Sequence, residues 1–103
     1  MTVAERKAVH VIVRGRVQGV GFRAFVEHEA LSRGIEGWVR NRRDGTLEAV
    51  FTGDPASVEA MIAACSTGPR GSRVDDLEQR DATEDDQLAL RRQAEIFSCL
   101  PTV

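Results

Sequence analysis

The chain has 103 residues, of which 42% are apolar and 29% charged, with a formal net charge of −2; that is one domain's worth of residues, with enough apolar side chains for a single core. No run of about 18 apolar residues occurs, which excludes a membrane-spanning helix, and the opening MTVAERKAVH lacks the apolar segment of a signal peptide, which predicts a cytoplasmic protein. The charge is uneven: residues 1–50 carry nine Arg and Lys against six Asp and Glu, and residues 51–103 carry five against ten.

Residues 1–7 are expected as a flexible tail. Val9, Val11 and Val13 then alternate with His10, Ile12 and Arg14, the period of two of a strand. The stretch GRVQGVGFR, residues 15–23, follows. From Phe22 the spacing lengthens. Phe22, Val26 and Ala30 recur every fourth residue beside Phe25, predicting an amphipathic helix that ends near Arg33 and stops at Gly34. Ile35, Gly37, Val39 and Asn41 alternate with Glu36, Trp38, Arg40 and Arg42 in a second strand. Asp44-Gly45 signals a hairpin into a third strand, in which Leu47, Ala49 and Phe51 alternate with Glu48, Val50 and Thr52.

Asp54 and Pro55 open a second helix as N-cap and first helical residue. Its apolar stripe is Val58, Met61, Ile62 and Cys65, and Gly68-Pro69 closes it. Val74 and Leu77 suggest a fourth strand, and Ile96 to Leu100 a last one. Residues 81–93 are polar, an uncertain linker. Thr83 with Asp86 fits a capping box, yet a solvated loop is the preferred reading, because about ten residues make a marginal helix without packing. Cys65 and Cys99 lie in apolar periodic segments without metal-ligand spacing and are expected to be buried thiols, not a disulfide.

This order predicts an α+β, ferredoxin-like α/β sandwich spanning residues 1–103 as one domain. It follows the split βαβ plan (βαββαβ), with a mainly antiparallel four- to five-stranded sheet and two helices on one face. The odd-numbered apolar residues of the first three strands would face the helices, and His10, Ile12, Trp38 and Val50 the opposite side.

The glycine stretch is neither a Walker A loop nor a Rossmann fingerprint, since no Gly-Lys-Ser/Thr and no βαβ unit accompany it. Its physics is related. Glycines let successive N–H groups turn inward, and a helix N-terminus adds partial positive charge. Arg23 sits in the first helical turn, where the dipole disfavours a cation. An anion held between the two accounts for it, against the plainer reading of a tight turn followed by a surface arginine.

GRVQGVGFR, followed by GWVRNRRDG at residues 37–45, resembles the paired signatures of the acylphosphatase family. The glycine spacing, Gln18, Phe22-Arg23, the Gly-aromatic-Val-x-Asn block and the Asp-Gly turn carry the likeness, which covers residues 8–80 well and the last strand loosely. The 81–93 segment is longer and more acidic than that family's usual link. The resemblance implies hydrolysis of acyl phosphates to carboxylate and inorganic phosphate. It implies that Arg23 binds phosphate and Asn41 orients the attacking water, with the backbone of Gln18, Gly19, Val20, Gly21 and Phe22 completing the cradle.

The residue inventory suits this chemistry. Phosphoryl transfer from a good leaving group needs positioning and charge stabilisation more than acid–base help. A guanidinium can hold two phosphate oxygens, and an amide can hold a water without being a base. No cofactor and no metal are expected. His10 and His28 are expected in structural or surface roles, and Arg40, Arg42 and Arg43 as general steering charge. The expected partners are a small acyl phosphate and inorganic phosphate, with no nucleic acid or membrane, acting on a monomer.

Two rivals remain. A nucleic-acid module of this fold class would stack bases on sheet aromatics, but aromatics are 5% with no Tyr. A non-catalytic anion-binding or accessory domain of acylphosphatase shape, like those within larger carbamoyl-transfer maturation proteins, would keep the loop and lose turnover. A chain of this length without a partner domain favours the free-standing enzyme.

Overall fold

Alternating valines form β1 (Lys7–Arg16), an interior strand of the sheet. In the computed structural model, which describes residues 6–88 and 96–103, it is followed by α1 (Phe22–Ser32), β2 (Glu36–Asn41), β3 (Leu47–Gly53), α2 (Pro55–Thr67), β4 (Arg73–Asp81), α3 (Glu84–Leu88) and β5 (Phe97–Cys99). The strands form one sheet in the order β4-β1-β3-β2-β5. Neighbours are antiparallel except β2 and β5, which run parallel. The α+β ferredoxin-like expectation holds. No helix among the described residues is long and apolar enough to cross a membrane.

Period two sorts the strands into faces as the sequence predicts. Val9, Val11, Val13, Val39, Leu47, Ala49 and Phe51 pack against Phe22, Val26 and Ala30 of α1 and Val58, Met61 and Cys65 of α2. Trp38 and Val50 face the other way, in a small cluster with Leu100 and Ala82. Full burial of a side chain such as Phe22 or Val26 is worth about 1.5–3 kcal/mol, so these faces hold the sheet to its helices.

Several boundaries differ from expectation. Residues 1–5 lie outside the described set, but Arg6 pairs with Glu36, and Lys7 already sits opposite Gly53 at the start of β1. Lys7 is therefore strand rather than tail. Asp81 closes β4, and α3 replaces the solvated loop expected after it, while 89–93 lie outside the described residues. The capping box forms, with Asp86 N–H donating to Thr83 Oγ1 at 3.0 Å and Thr83 N–H to Asp86 Oδ2 at 2.9 Å. Tertiary contacts stabilise this short helix. Trp38 Nε1 donates to the Asp86 carbonyl at 2.6 Å, and Arg80 Nη1 to the Asp86 carboxylate at 2.7 Å.

β4 also carries an irregularity. Arg14 pairs with Asp76 but Gly15 with Val74, leaving Asp75 as the extra residue of a bulge. The bulge explains why the partly buried Val74 and Leu77 both reach the core although they are three positions apart. Gly15 belongs to this pairing rather than to the loop: a Cβ there would lie 2.1 Å from the Arg73 carbonyl oxygen.

Candidate active site

β1 ends at Arg16, and Val17 drops into the core at 1% exposure, pinning the start of the glycine loop. Gly19 and Gly21 then take φ of +72° and +78°, with nothing nearby that a side chain would strike. The left-handed backbone is the constraint, since L-residues with a Cβ rarely adopt it. Left-handed glycines on either side of Val20, whose φ is negative, give the alternation that lets successive amides turn toward one side. The N–H groups of residues 19–23 find no backbone acceptor among the described residues. Gly21 is the N-cap of α1 without a capping side chain, and the first turn has no acidic residue. Positive potential at this helix end is left unneutralised by the chain itself.

Arg23 emerges from the first turn of α1, half-buried, with Nη1 3.4 Å from the Leu100 carbonyl oxygen. Among the described residues it has no ion-pair partner. Opposite stands Asn41, the last residue of β2, only 9% exposed. Its Oδ1 is buried without a hydrogen-bond partner, an uncommon arrangement that costs stability unless something external satisfies it. The C-terminal segment steadies its backbone: Val103 N–H donates to the Asn41 carbonyl at 3.1 Å, and Arg43 N–H to the Val103 carbonyl at 2.6 Å.

Gly19, Gly21, Phe22, Arg23 and Asn41 line one cavity of about 370 Å3. Gln18 and Val20, named with them from the sequence, stand outside that lining. Val20 packs partly into the core, and the Phe22 ring is buried there edge-on to Phe25, 5.8 Å between centroids. These two offer main chain only. Gln18 has a different role: its Nε2 donates to the Arg42 carbonyl at 2.7 Å and the Thr46 carbonyl at 2.9 Å. It braces the glycine loop against the β2–β3 turn, which Asp44 tightens by accepting from Thr46 N–H and Thr46 Oγ1.

Four further residues complete the lining: Val17, Ala24, Glu27 and Cys99. Glu27, four residues after Arg23 on α1, was legible from helical spacing. Cys99 was not, because its place depends on the register of β5 against β2. The expectation of two buried thiols fails here. Cys65 is buried among core residues, and that burial pushes its thiol up to about 12. Cys99, the last residue of β5, is exposed between the buried Ser98 and Leu100 and lines the cavity. Partial burial raises the Cys99 thiol, the Arg23 guanidinium opposes that shift, and the Glu27 carboxylate adds to it.

The other charged groups of interest lie elsewhere. His10 is buried on the far face of the sheet, where its Nε2 meets Glu48 Oε2 at 2.7 Å. Arg40, expected as steering charge, is instead engaged there: its Nε donates to Glu48 Oε1 at 2.7 Å, and its guanidinium lies 5.0 Å from the Trp38 ring centroid. Arg43 is exposed near the turn. No three His, Cys, Asp or Glu side chains converge as a metal-holding group among the described residues.

Comparison with known proteins gives a consistent pattern. The family model described as acylphosphatase matches residues 9–92. An acylphosphatase of Bradyrhizobium diazoefficiens is 55% identical over 98 residues, spanning 95% of this chain and 98% of that relative. The crystal structure of acylphosphatase from Bacillus subtilis superposes with a TM-score of 0.75 at 35% identity, covering 90% of this chain and 97% of that one. Full-length HypF in a phosphate- and nucleotide-bound form matches with a TM-score of 0.81 at 25% identity, covering 98% of this chain but 13% of that protein.

Proposed function

The chain belongs to the acylphosphatase family and is an acyl-phosphate hydrolase, and from that premise we propose how its residues divide the work. Arg23 binds the phosphoryl group through two guanidinium N–H donors. The amides from Gly19 to Arg23 take the remaining oxygens at the positive end of α1. Asn41 holds the attacking water through Oδ1, the buried acceptor that lacks a protein donor. That acceptor, facing a cavity whose other wall is an uncapped helix end with an arginine, is the observation that carries this reading.

The water oxygen forms the new bond to phosphorus as the phosphorus–acyl oxygen bond breaks and the carboxylate leaves with the electron pair. The water proton passes to a phosphate oxygen, so no protein base is required. A carboxylate of low basicity needs no acid either. What the protein supplies is alignment and charge stabilisation in the loose transition state. The substrate is a small acyl phosphate and the context a monomer in the cytoplasm, without nucleic-acid or membrane partners; light scattering on the eluting protein tests the monomeric state.

A second reading follows from the HypF likeness, in which a domain of this shape is part of a larger protein: the chain would hold an anion without turning it over. Phosphate release from benzoyl phosphate, measured with and without excess chelator, separates the two. The enzyme reading expects multiple turnovers at the same rate in both. Phosphate binding without turnover would favour the accessory domain. Loss of rate with chelator, restored by a divalent ion, would overturn the substrate-assisted route.

A further inference from the structure

The cavity has more wall than phosphate and water require. An in-line displacement places the attacking oxygen and the leaving acyl group on opposite sides of phosphorus. With the loop taken by phosphate and Asn41 by water, the lining left for the acyl group is Ala24, Glu27, Cys99 and the apolar, almost wholly buried Val17. Ala24 is small and the Cys99 thiol weakly polar, so neither discriminates strongly by charge. Glu27 does.

Glu27 lies one helical turn beyond Arg23 on α1, yet the two form no ion pair, and Glu27 has no hydrogen bond to any described residue. Both charges are nonetheless felt at the Cys99 thiol, with opposite sign. The site therefore presents a guanidinium at its phosphate end and a half-buried, unneutralised carboxylate further out. A ligand with one anionic end meets attraction only; a ligand with a second anion meets attraction and then repulsion.

Resting on the reading that this site hydrolyses acyl phosphates, we propose that Glu27 determines specificity, selecting acyl groups that carry no second anion over those that do. Two like charges about 6 Å apart repel enough to lower occupancy about three- to tenfold, for effective dielectric constants of roughly 80 to 40. Added salt weakens the discrimination, because the site opens to solvent.

The test compares two rigid substrates, 4-methylbenzoyl phosphate and 4-carboxybenzoyl phosphate, which are close in shape and differ by one carboxylate. The ring keeps that carboxylate from attacking its own acyl carbon. Values of kcat/KM are measured for the intact protein and for Glu27→Gln, which suits a helix nearly as well. The expected result is that the substitution raises the ratio of the carboxylated to the methylated substrate by about three- to tenfold, with a smaller gain at high salt. Hydrolysis of the methylated substrate with the same ratio in both proteins would overturn the role of Glu27 and leave the hydrolase reading intact. Failure of the unsubstituted protein to hydrolyse either compound would overturn both.

Discussion

The two long helices lie on the same face of the sheet, yet their N-termini are finished in different ways. α2 starts with Asp54, whose Oδ2 accepts from Ala56 N–H at 3.1 Å and Ser57 N–H at 3.3 Å, and Pro55 fills a position where no N–H is needed. α1 starts with Gly21, has no capping side chain, and places Arg23 where the dipole favours an anion. At α2 the chain satisfies its own amides; at α1 it leaves them available and adds a cation. On the proposed reading α1 starts at a ligand and α2 has a purely structural start, which makes the two ends separable by substitution.

The largest expected effect is at Arg23. Arg23→Ala should lower kcat/KM for benzoyl phosphate on the order of 10²–10³-fold, comparable to losing one preorganised donor to a developing charge. Arg23→Lys should recover little, because an ammonium cannot make the bidentate contact. The absence of an ion pair, with one long hydrogen bond of 3.4 Å to the Leu100 carbonyl, predicts an unchanged circular dichroism spectrum. Asn41→Ala should lower kcat on the order of 10²-fold through loss of alignment, while inorganic phosphate still competes. Rates near those of the unsubstituted protein for Arg23→Ala would place the site elsewhere, and lost phosphate affinity with kcat preserved in Asn41→Ala would exchange the two roles.

Inorganic phosphate probes the same contrast without chemistry. A cradle of the residue 19–23 amides exists only when β1 and α1 are folded, so on the proposed reading phosphate should stabilise the native state. At ten times its dissociation constant the linkage amounts to about 1.4 kcal/mol, several degrees in Tm for a domain of this size. Ionic strength is matched with chloride to remove general screening. Arg23→Ala should lose most of the shift and Asn41→Ala keep it. A flat response of the unsubstituted protein up to tens of millimolar phosphate would reduce the loop to a turn.

Much of this contrast is readable before any coordinates. Asp54-Pro55, the glycines before Phe22 and Arg23, and the period-two strands are local signals, decided by residues within a turn or two of one another. Arg23 and Asn41 are 18 positions apart in sequence, and the two signature blocks placed them together only through a resemblance; the structure joins them across one cavity. What local patterns leave out depends on tertiary register. α3 forms because Trp38 and Arg80 hold Asp86, contacts invisible in a polar stretch judged by propensity. Asp75 becomes a bulge only in its pairing with β1. Cys99 reaches the cavity because a three-residue strand runs parallel to β2, and Gln18 becomes a brace because the β2–β3 turn folds back over it.

The smallest effect belongs to α2, and it is the control that the comparison needs. Asp54→Ala removes the acceptor for Ala56 and Ser57 N–H, both of which then turn to water, since the residue is exposed. No cavity opens and no buried group is stranded, so the cost stays within the capping range, about 1 kcal/mol, or roughly 4–8 °C in Tm for about 100 residues. Neither kcat/KM nor the phosphate-induced shift should change. Asp54 lies outside the lining of the Arg23 cavity, and separate sites without shared partners act additively. The double variant Arg23→Ala, Asp54→Ala should therefore show the rate loss of the first and the melting loss of the second, with no coupling. If Asp54→Ala instead weakened the phosphate shift by half or more, the two helix ends would not be independent, and the division between a ligand-binding start and a structural one would fail.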